Sequence, residues 1–460
     1  MRSRAGSIGF LCLLAAISAA QEDGIGDPTF PTLGNRGYLA SHYGLKINYN
    51  PSTNLLKGDV TMEAVAKTEL STFSLDFSGF TISAVKLNGA AVPYERTPSK
   101  LRIKPTTAIA KDAKFSLETV YSGNPQVAQS AALPTGMTSG WITYAGGAVA
   151  VCEPDLAHTW FPCNDHPRNK ATFDIDVTTP SPYIGIANGI ATTVSSGKSH
   201  FVLDKPSMTC MAVVAFGKYG TFKQVGPNNL PITNYLPPGT ETQYIQPLQI
   251  TPKFMQYLSD RIGSYPFSSY GTIILPKEVE KANTLMAGSA IETTSIPVFG
   301  PEGSSSPEVL CHELTHQWIG DCVSITNWGD DIWWVEGFAQ YSEWLLTELT
   351  DGKEAYIKKV KSAYDQFSAP GHWLKPGHLA TQDVFGQQSY IGGALTFHAL
   401  RRTLGDAKFF QTVKEFIAKN RYGNASVKDW IEVASKVSGQ DMTSFFDEWL
   451  NSSTAPKLPG

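Results

Sequence analysis

The 460-residue sequence has little that would tie it to nucleic acid, a bilayer or a disulfide framework. Its 37 basic and 41 acidic residues leave a net charge of −4, too mild for the cationic field that nucleic-acid binding requires. Downstream of residue 20 no apolar run is long enough to span a bilayer, and no apolar tail marks a C-terminal lipid anchor. Cysteine is scarce. Beyond Cys12 there are Cys152, Cys163, Cys210, Cys311 and Cys322, an odd number, so at least one thiol is free or pairs outside the chain. A Cys311–Cys322 bond and one bond among the other three both stay open. Repeats and low-complexity tracts are absent.

What is present begins with residues 1–20. Arg2 and Arg4 make a basic start, Ile8 to Ile17 is mostly apolar, and Ser18-Ala19-Ala20 suits cleavage before Gln21. This predicts a signal peptide and a secreted, extracellular chain. The remaining 440 or so residues carry 35 basic and 41 acidic side chains and suffice for two or three domains. Asn424-Ala425-Ser426 and Asn451-Ser452-Ser453 are glycosylation sequons, relevant only in a eukaryotic host.

Hydropathy has two regimes. After an irregular lead-in to about residue 35, segments such as YGLKINYN, GDVTMEAVAKT and FSLETVYSG alternate with period two, which predicts an all-β domain over 21–222. AVVAFGKYGTF reads as its last strand and the crossing onward, and NNLPITNYLPPG as a proline-rich connector. From Gln249 the period turns helical. TPKFMQYLSDRIGSYPF predicts an amphipathic helix ending near Gly263, YGTIILPKE a buried strand, and five helical stretches follow residue 350. The expected architecture is multidomain α+β: a β sandwich or saddle, then a mainly helical domain with a small sheet over 223–460.

The chemistry concentrates in CHELTHQWIGD, residues 311–321. His312 and His316 are four apart and share one helix face, one turn apart, with Glu313 between them in sequence. Ser306 suits the N-cap, Pro307 the first turn and Gly320 the exit. This is the H-E-x-x-H pattern of a zinc hydrolase. A third ligand is offered by WWVEGFAQYSEW, where Glu336 starts a second apolar-periodic helix. Two histidines and a glutamate leave the fourth tetrahedral position to water.

These two blocks resemble the aminopeptidase N family of zinc metallopeptidases. That family places eighteen residues between the second histidine and the glutamate of W-x-x-E-G-F-A, whereas nineteen separate His316 from Glu336 here. The extra residue is expected in a loop near Asn327 to Asp331. Glu336 is retained as the ligand because its block matches, with Asp330 or Asp331 as the weaker alternatives. Two further blocks extend the resemblance. Ser289-Ala290-Ile291-Glu292-Thr293 stands where the family has G-A-M-E-N, and Pro162-Cys163-Asn164-Asp165 with Lys170-Ala171-Thr172-Phe173 follows Glu153 at the family's spacing. His158 and His166 depart from the family's letters there and read as hydrogen-bonding residues rather than ligands.

The resemblance implies a thermolysin-like catalytic domain holding one zinc on His312, His316 and Glu336, with Glu313 as general base. It implies Tyr390, in Tyr390-Ile391-Gly392-Gly393, as the oxyanion donor, although Gly392 replaces the family's lysine. It implies Glu153 and Glu292 as the pair that binds the substrate's free amine, in a pocket between domains. Trp318, Trp333 and Trp334 read as core. The expected activity is removal of N-terminal residues from peptides. An endopeptidase or other zinc hydrolase on the same scaffold is the first alternative. A silent zinc-binding homologue is the second, although a structural zinc wants four protein ligands and Cys311 projects about 100° away from His312.

Overall fold

The computed structural model describes residues 24–459 apart from 370 and 374, so the signal segment and Cys12 lie outside the described residues. Residues 24–37 form an irregular arm, and strands begin at Tyr38. Eight strands build the first sheet, in the order Ile190–Ser195, Lys198–Met208, Lys170–Thr178, Tyr38–Asn50, Leu55–Ala66, Lys114–Gly123, Thr81–Leu87 and Ala90–Ala91. The period-two sequence explains its two faces. In Leu55–Ala66 the residues Leu56, Val60, Met62, Ala64 and Ala66 are buried, while Lys57 and Glu63 face water. A one-residue slip would exchange these sets, so burial itself fixes the register.

A second, five-stranded sheet packs on the first. Tyr49 of the first sheet lies against Trp141 and Phe216 of the second, with ring centroids 5.0 and 4.8 Å away. Fully burying one such side chain is worth about 1.5–3 kcal/mol. Strand Gly147–Val151 runs through the middle of this sheet, buried along its whole length, and delivers Glu153 at its end.

The last strand of the second sheet in chain order is Val214–Gly217. Residues 220–222, expected in the first domain, instead pair with Pro231–Leu236 in a further sheet of five strands that also holds Tyr270–Ile274, Ala290–Ile291 and Val298–Phe299. NNLPITNYLPPG is therefore not a connector. Pro231 occupies a strand's first residue, a position where its missing N–H costs little, and the strand ends before Pro237.

Helices cover this sheet: α1 (Ile250–Ile262), α2 (Pro307–His316), α3 (Trp328–Asp351), α4 (Lys353–Phe367), α5 (Gly393–Leu404), α6 (Asp406–Asn420), α7 (Val427–Ser438) and α8 (Thr443–Asn451). Their sequence periods match the expected segments, with one difference of substance. The helix holding Glu336 starts at Trp328, eight residues early, so Glu336 sits in its third turn. Trp318, Trp333 and Trp334 are fully buried. Among the described residues no helix is long and apolar enough to cross a membrane.

The domains are joined by partly buried polar contacts. Lys170 Nζ donates to the carbonyls of Asp321 (2.6 Å), Cys322 (2.9 Å) and Gly423 (3.3 Å). Asn424 Nδ2 donates to Pro167 and Ile325 carbonyls, both at 2.8 Å. The atom a glycan would use on Asn424 is thus committed to the domain junction. All five described cysteines are buried free thiols, so neither disulfide left open by the sequence forms.

Candidate active site

Helix α2 brings two imidazoles to one face. Ser306 Oγ accepts from Val309 N at 3.3 Å, capping the helix as its sequence predicts. The helix ends at His316, four residues before Gly320, which closes the next turn through its N–H on Val323 O (2.8 Å). The rings of His312 and His316 are 4.8 Å apart. Glu336 on α3 faces both: its Oε2 lies 3.4 Å from His312 Nε2 and 3.5 Å from His316 Nε2. Two ligands at about 2.0–2.1 Å on a tetrahedral ion stand roughly 3.3–3.4 Å apart. The three atoms are therefore spaced for a zinc-sized ion, and His316 Nε2 is buried with no hydrogen-bond partner.

The other ring nitrogens are held. His312 Nδ1 donates to Glu343 Oε1 at 3.0 Å, and His316 Nδ1 to Ile319 O at 3.3 Å. Both bonds leave Nε2 as the lone-pair nitrogen facing Glu336. Glu343 is a site residue that the motif blocks alone do not mark. Its signal is the spacing: seven residues after Glu336 is two helical turns on the same face.

Asp330 and Asp331 are excluded as ligands. Asp331 Oδ2 accepts from the amides of Thr326 (3.1 Å) and Asn327 (3.0 Å), and its Oδ1 from Val427 N (3.1 Å). Asp330 pairs with His378 at the surface. Residues 328–331 are helical, so Trp328 to Asp331 is not the loop expected to take up the extra spacer residue.

Two more carboxylates converge from different places. Glu292 follows the edge strand Ala290–Ile291, and its main-chain carbonyl is held by Gln317 Nε2 (3.3 Å) in the turn after α2. Its Oε1 is 3.8 Å from His316 Nδ1 and lacks a hydrogen bond. Glu153 comes from the β domain. Ligand atoms of Glu153, Glu292 and Glu336 all lie within 4.8 Å of one another, as do those of Glu292, Glu313 and His316. Glu313 is buried with Oε2 unpartnered. Tyr390 lies on the π-helical segment Gln388–Gly392 leading into α5, its ring stacked on that of His312 at 6.0 Å and 23°. His158 and His166 are not ligands: each bonds a carboxylate, Asp165 and Asp27 respectively.

These environments drive the carboxyls apart. Burial pushes Glu313 up to about 8, only partly offset by His312. Burial also opposes ionisation of Glu336, but His316 and His312 outweigh it and hold it near about 2. Glu153 is raised well above the usual range by burial, then by Glu292 and Glu336. Burial and the same carboxylates keep the Tyr390 phenol protonated. Glu313 is thus the carboxyl whose burial brings its proton exchange towards neutrality, as a general base needs.

Residues 39–209 match the Peptidase M1 N-terminal domain and residues 248–449 the Peptidase family M1 domain. The chain belongs to peptidase family M1. The fold agrees: the M1 zinc metallopeptidase of Deinococcus radiodurans superposes with a TM-score of 0.85 at 28% identity, covering 95% of this chain and 99% of that one. A mutant of that enzyme bound to a Tyr-Ser-Ala substrate superposes with the same score at 29% identity. Human endoplasmic reticulum aminopeptidase 2 is 27% identical over 318 residues, 65% of this chain and 33% of that protein. Bovine glutamyl aminopeptidase is 25% identical, over 66% of this chain and 34% of its own length. The chain thus spans about a third of the length of these curated M1 relatives, but nearly all of the two-domain enzyme.

Proposed function

We propose that this M1 member is a secreted aminopeptidase with one zinc ion per chain, cleaving the first peptide bond of peptides that have a free N-terminus. One observation carries the reading. Glu153, from the β domain, meets Glu292 beside Glu336, with ligand atoms within 4.8 Å. An ammonium leaving water needs carboxylates to pair with, and this pair adjoins Glu336 of the metal triad. The relative bound to Tyr-Ser-Ala supports a peptide substrate.

His312, His316 and Glu336 would hold the zinc, which would supply a Lewis acid for the scissile carbonyl and the attacking water. Glu313, adjacent to a ligand yet unpartnered at Oε2, takes the attacking water's proton and hands it to the leaving amine. Tyr390, protonated and stacked on His312, donates to the developing oxyanion. Glu153 and Glu292 fix the amine and so limit cleavage to the first bond. Export rests on the basic and apolar character of residues 1–20, and N-terminal sequencing of protein from its host should begin at Gln21.

The test is a panel of aminoacyl amides beside their N-acetylated twins, with and without chelator. Cleavage of the free amines alone, abolished by chelator, is the expected result. Equal cleavage of both sets would reject the exopeptidase. Cleavage of neither would leave a zinc-binding protein without this activity.

A further inference from the structure

The leading amides of α3 are satisfied from an unexpected direction. A helix start leaves its first N–H groups without intrahelical partners, and the preceding side chain ordinarily takes one. Here the N-cap, Asn327, makes no such bond, and its Oδ1 accepts from Arg168 instead. The partners come from the N-terminal arm, some 300 residues away in sequence. Asp27 Oδ2 accepts from Trp328 N at 3.0 Å, and Thr29 Oγ1 from Gly329 N at 2.9 Å. A carboxylate at this end also complements the positive pole of the helix.

The approach is close. A Cβ on Gly329 would stand 2.3 Å from Leu379 O and 2.7 Å from Thr29 Oγ1, so the Leu379 backbone requires glycine here and Thr29 packs beside it. The arm is itself held by both domains. Asp27 Oδ2 also accepts from His166 Nε2 (3.0 Å), with both side chains fully buried, and Ile25 O accepts from Arg168 Nη1 (3.2 Å). Thr29 O accepts from Thr381 Oγ1 (2.7 Å), in the stretch that leads to Tyr390. Phe30 packs edge-on against Trp328 at 5.8 Å.

We propose that Asp27 and Thr29 are positioning residues for the metal site: the arm caps the ligand helix in trans and sets where Glu336 stands against His312 and His316. Glu336 lies eight residues beyond Trp328, about 12 Å along the axis. A helix transmits displacement of its end rigidly over that distance, and the Glu336 carboxylate has only a few tenths of an ångström of tolerance as a ligand. This inference rests on the reading of His312, His316 and Glu336 as the zinc ligands.

The experiment measures zinc dissociation into a chromogenic chelator from the full chain and three variants: Asp27→Asn, Thr29→Val and Tyr49→Phe. The last removes a hydrogen bond to Asn54 in the β domain, away from the arm, and controls for general loosening. Thr29→Val keeps its shape and carries the test if Asp27→Asn does not fold. Both arm variants should release zinc about tenfold faster, the scale on which outer partners tune metal sites. Tyr49→Phe should not. Under saturating zinc, kcat of the arm variants should recover towards wild type with KM unchanged. Unaltered release from the arm variants overturns the proposal, as does equal acceleration in Tyr49→Phe. A wild-type chain that retains no zinc instead overturns the metal-site reading, and the proposal with it, before any variant is compared.

Discussion

Gly337 and Gly393 touch backbone to backbone. A Cβ on Gly337 would stand 2.5 Å from Gly393 Cα, and one on Gly393 would stand 2.3 Å from Trp333 O. Gly337 follows the ligand Glu336 on α3, and Gly393 opens α5 three residues after Tyr390. This contact therefore sets how near the Tyr390 ring comes to the imidazoles.

Gly337→Ala tests it by sign. In an ordinary exposed helix the change stabilises by about 1 kcal/mol. Here it should destabilise by roughly 1–3 kcal/mol, because α3 and α5 must separate. Activity should fall with zinc content unchanged, since α2 and α3 keep their own contact. Calorimetry beside metal analysis checks this, and a rise in Tm would show that the helices do not meet at these glycines.

Glu343 bonds the ring nitrogen of His312 that faces away from Glu336. Glu343→Gln retains an acceptor but loses the charge, and Glu343→Leu loses both. Zinc affinity should fall about tenfold in the first and towards a hundredfold in the second, the range for partners of this kind. Chelator competition measures both. Equal affinities in wild type and the leucine variant would mean that the bond does not orient the ligand.

Glu313→Ala should lower kcat by about 10²–10⁴ while zinc remains bound, because the residue contributes no ligand atom to the triad of His312, His316 and Glu336. Near-wild-type turnover, with stoichiometric metal by mass spectrometry, would assign proton transfer to another group.

Much of this was readable from local patterns. Strand alternation and the capped H-E-x-x-H helix report nearest-neighbour physics, and the W-x-x-E-G-F-A block is legible through the family resemblance. What stayed hidden depends on distant partners. Pro231 reads as a breaker until a neighbouring strand is seen to need no donor from it. Apolar spacing starts α3 at Glu336, whereas its leading amides are capped at Trp328 and Gly329 by Asp27 and Thr29, and no spacing in the sequence relates these to Trp328. The free state of the cysteines follows from which buried surfaces enclose each thiol, a property of the folded chain. Glu343 alone was within reach, as a carboxylate two turns beyond a ligand.

His398 gives a pH dependence separable from the metal site. Arg401 only donates, so its bond to Tyr341 Oη (3.3 Å) makes that hydroxyl an acceptor, which can then donate to Tyr356 Oη at 2.9 Å. Tyr356 in turn donates to His398 Nδ1 at 2.6 Å, which requires a neutral ring. Burial, with Arg402 and Arg401 adding to it, lowers His398 from 6.5 to about 4. Between those values the unfolded chain holds a proton that the folded chain refuses, so stability falls as pH falls. The contribution is fully present above pH 6.5 and is lost towards pH 4, up to roughly 3 kcal/mol. His398→Gln keeps an acceptor for Tyr356 but cannot titrate. Its Tm should lie below wild type near pH 7, and the gap should close as both are acidified to pH 4.5. Parallel Tm–pH curves would show that His398 does not carry this dependence.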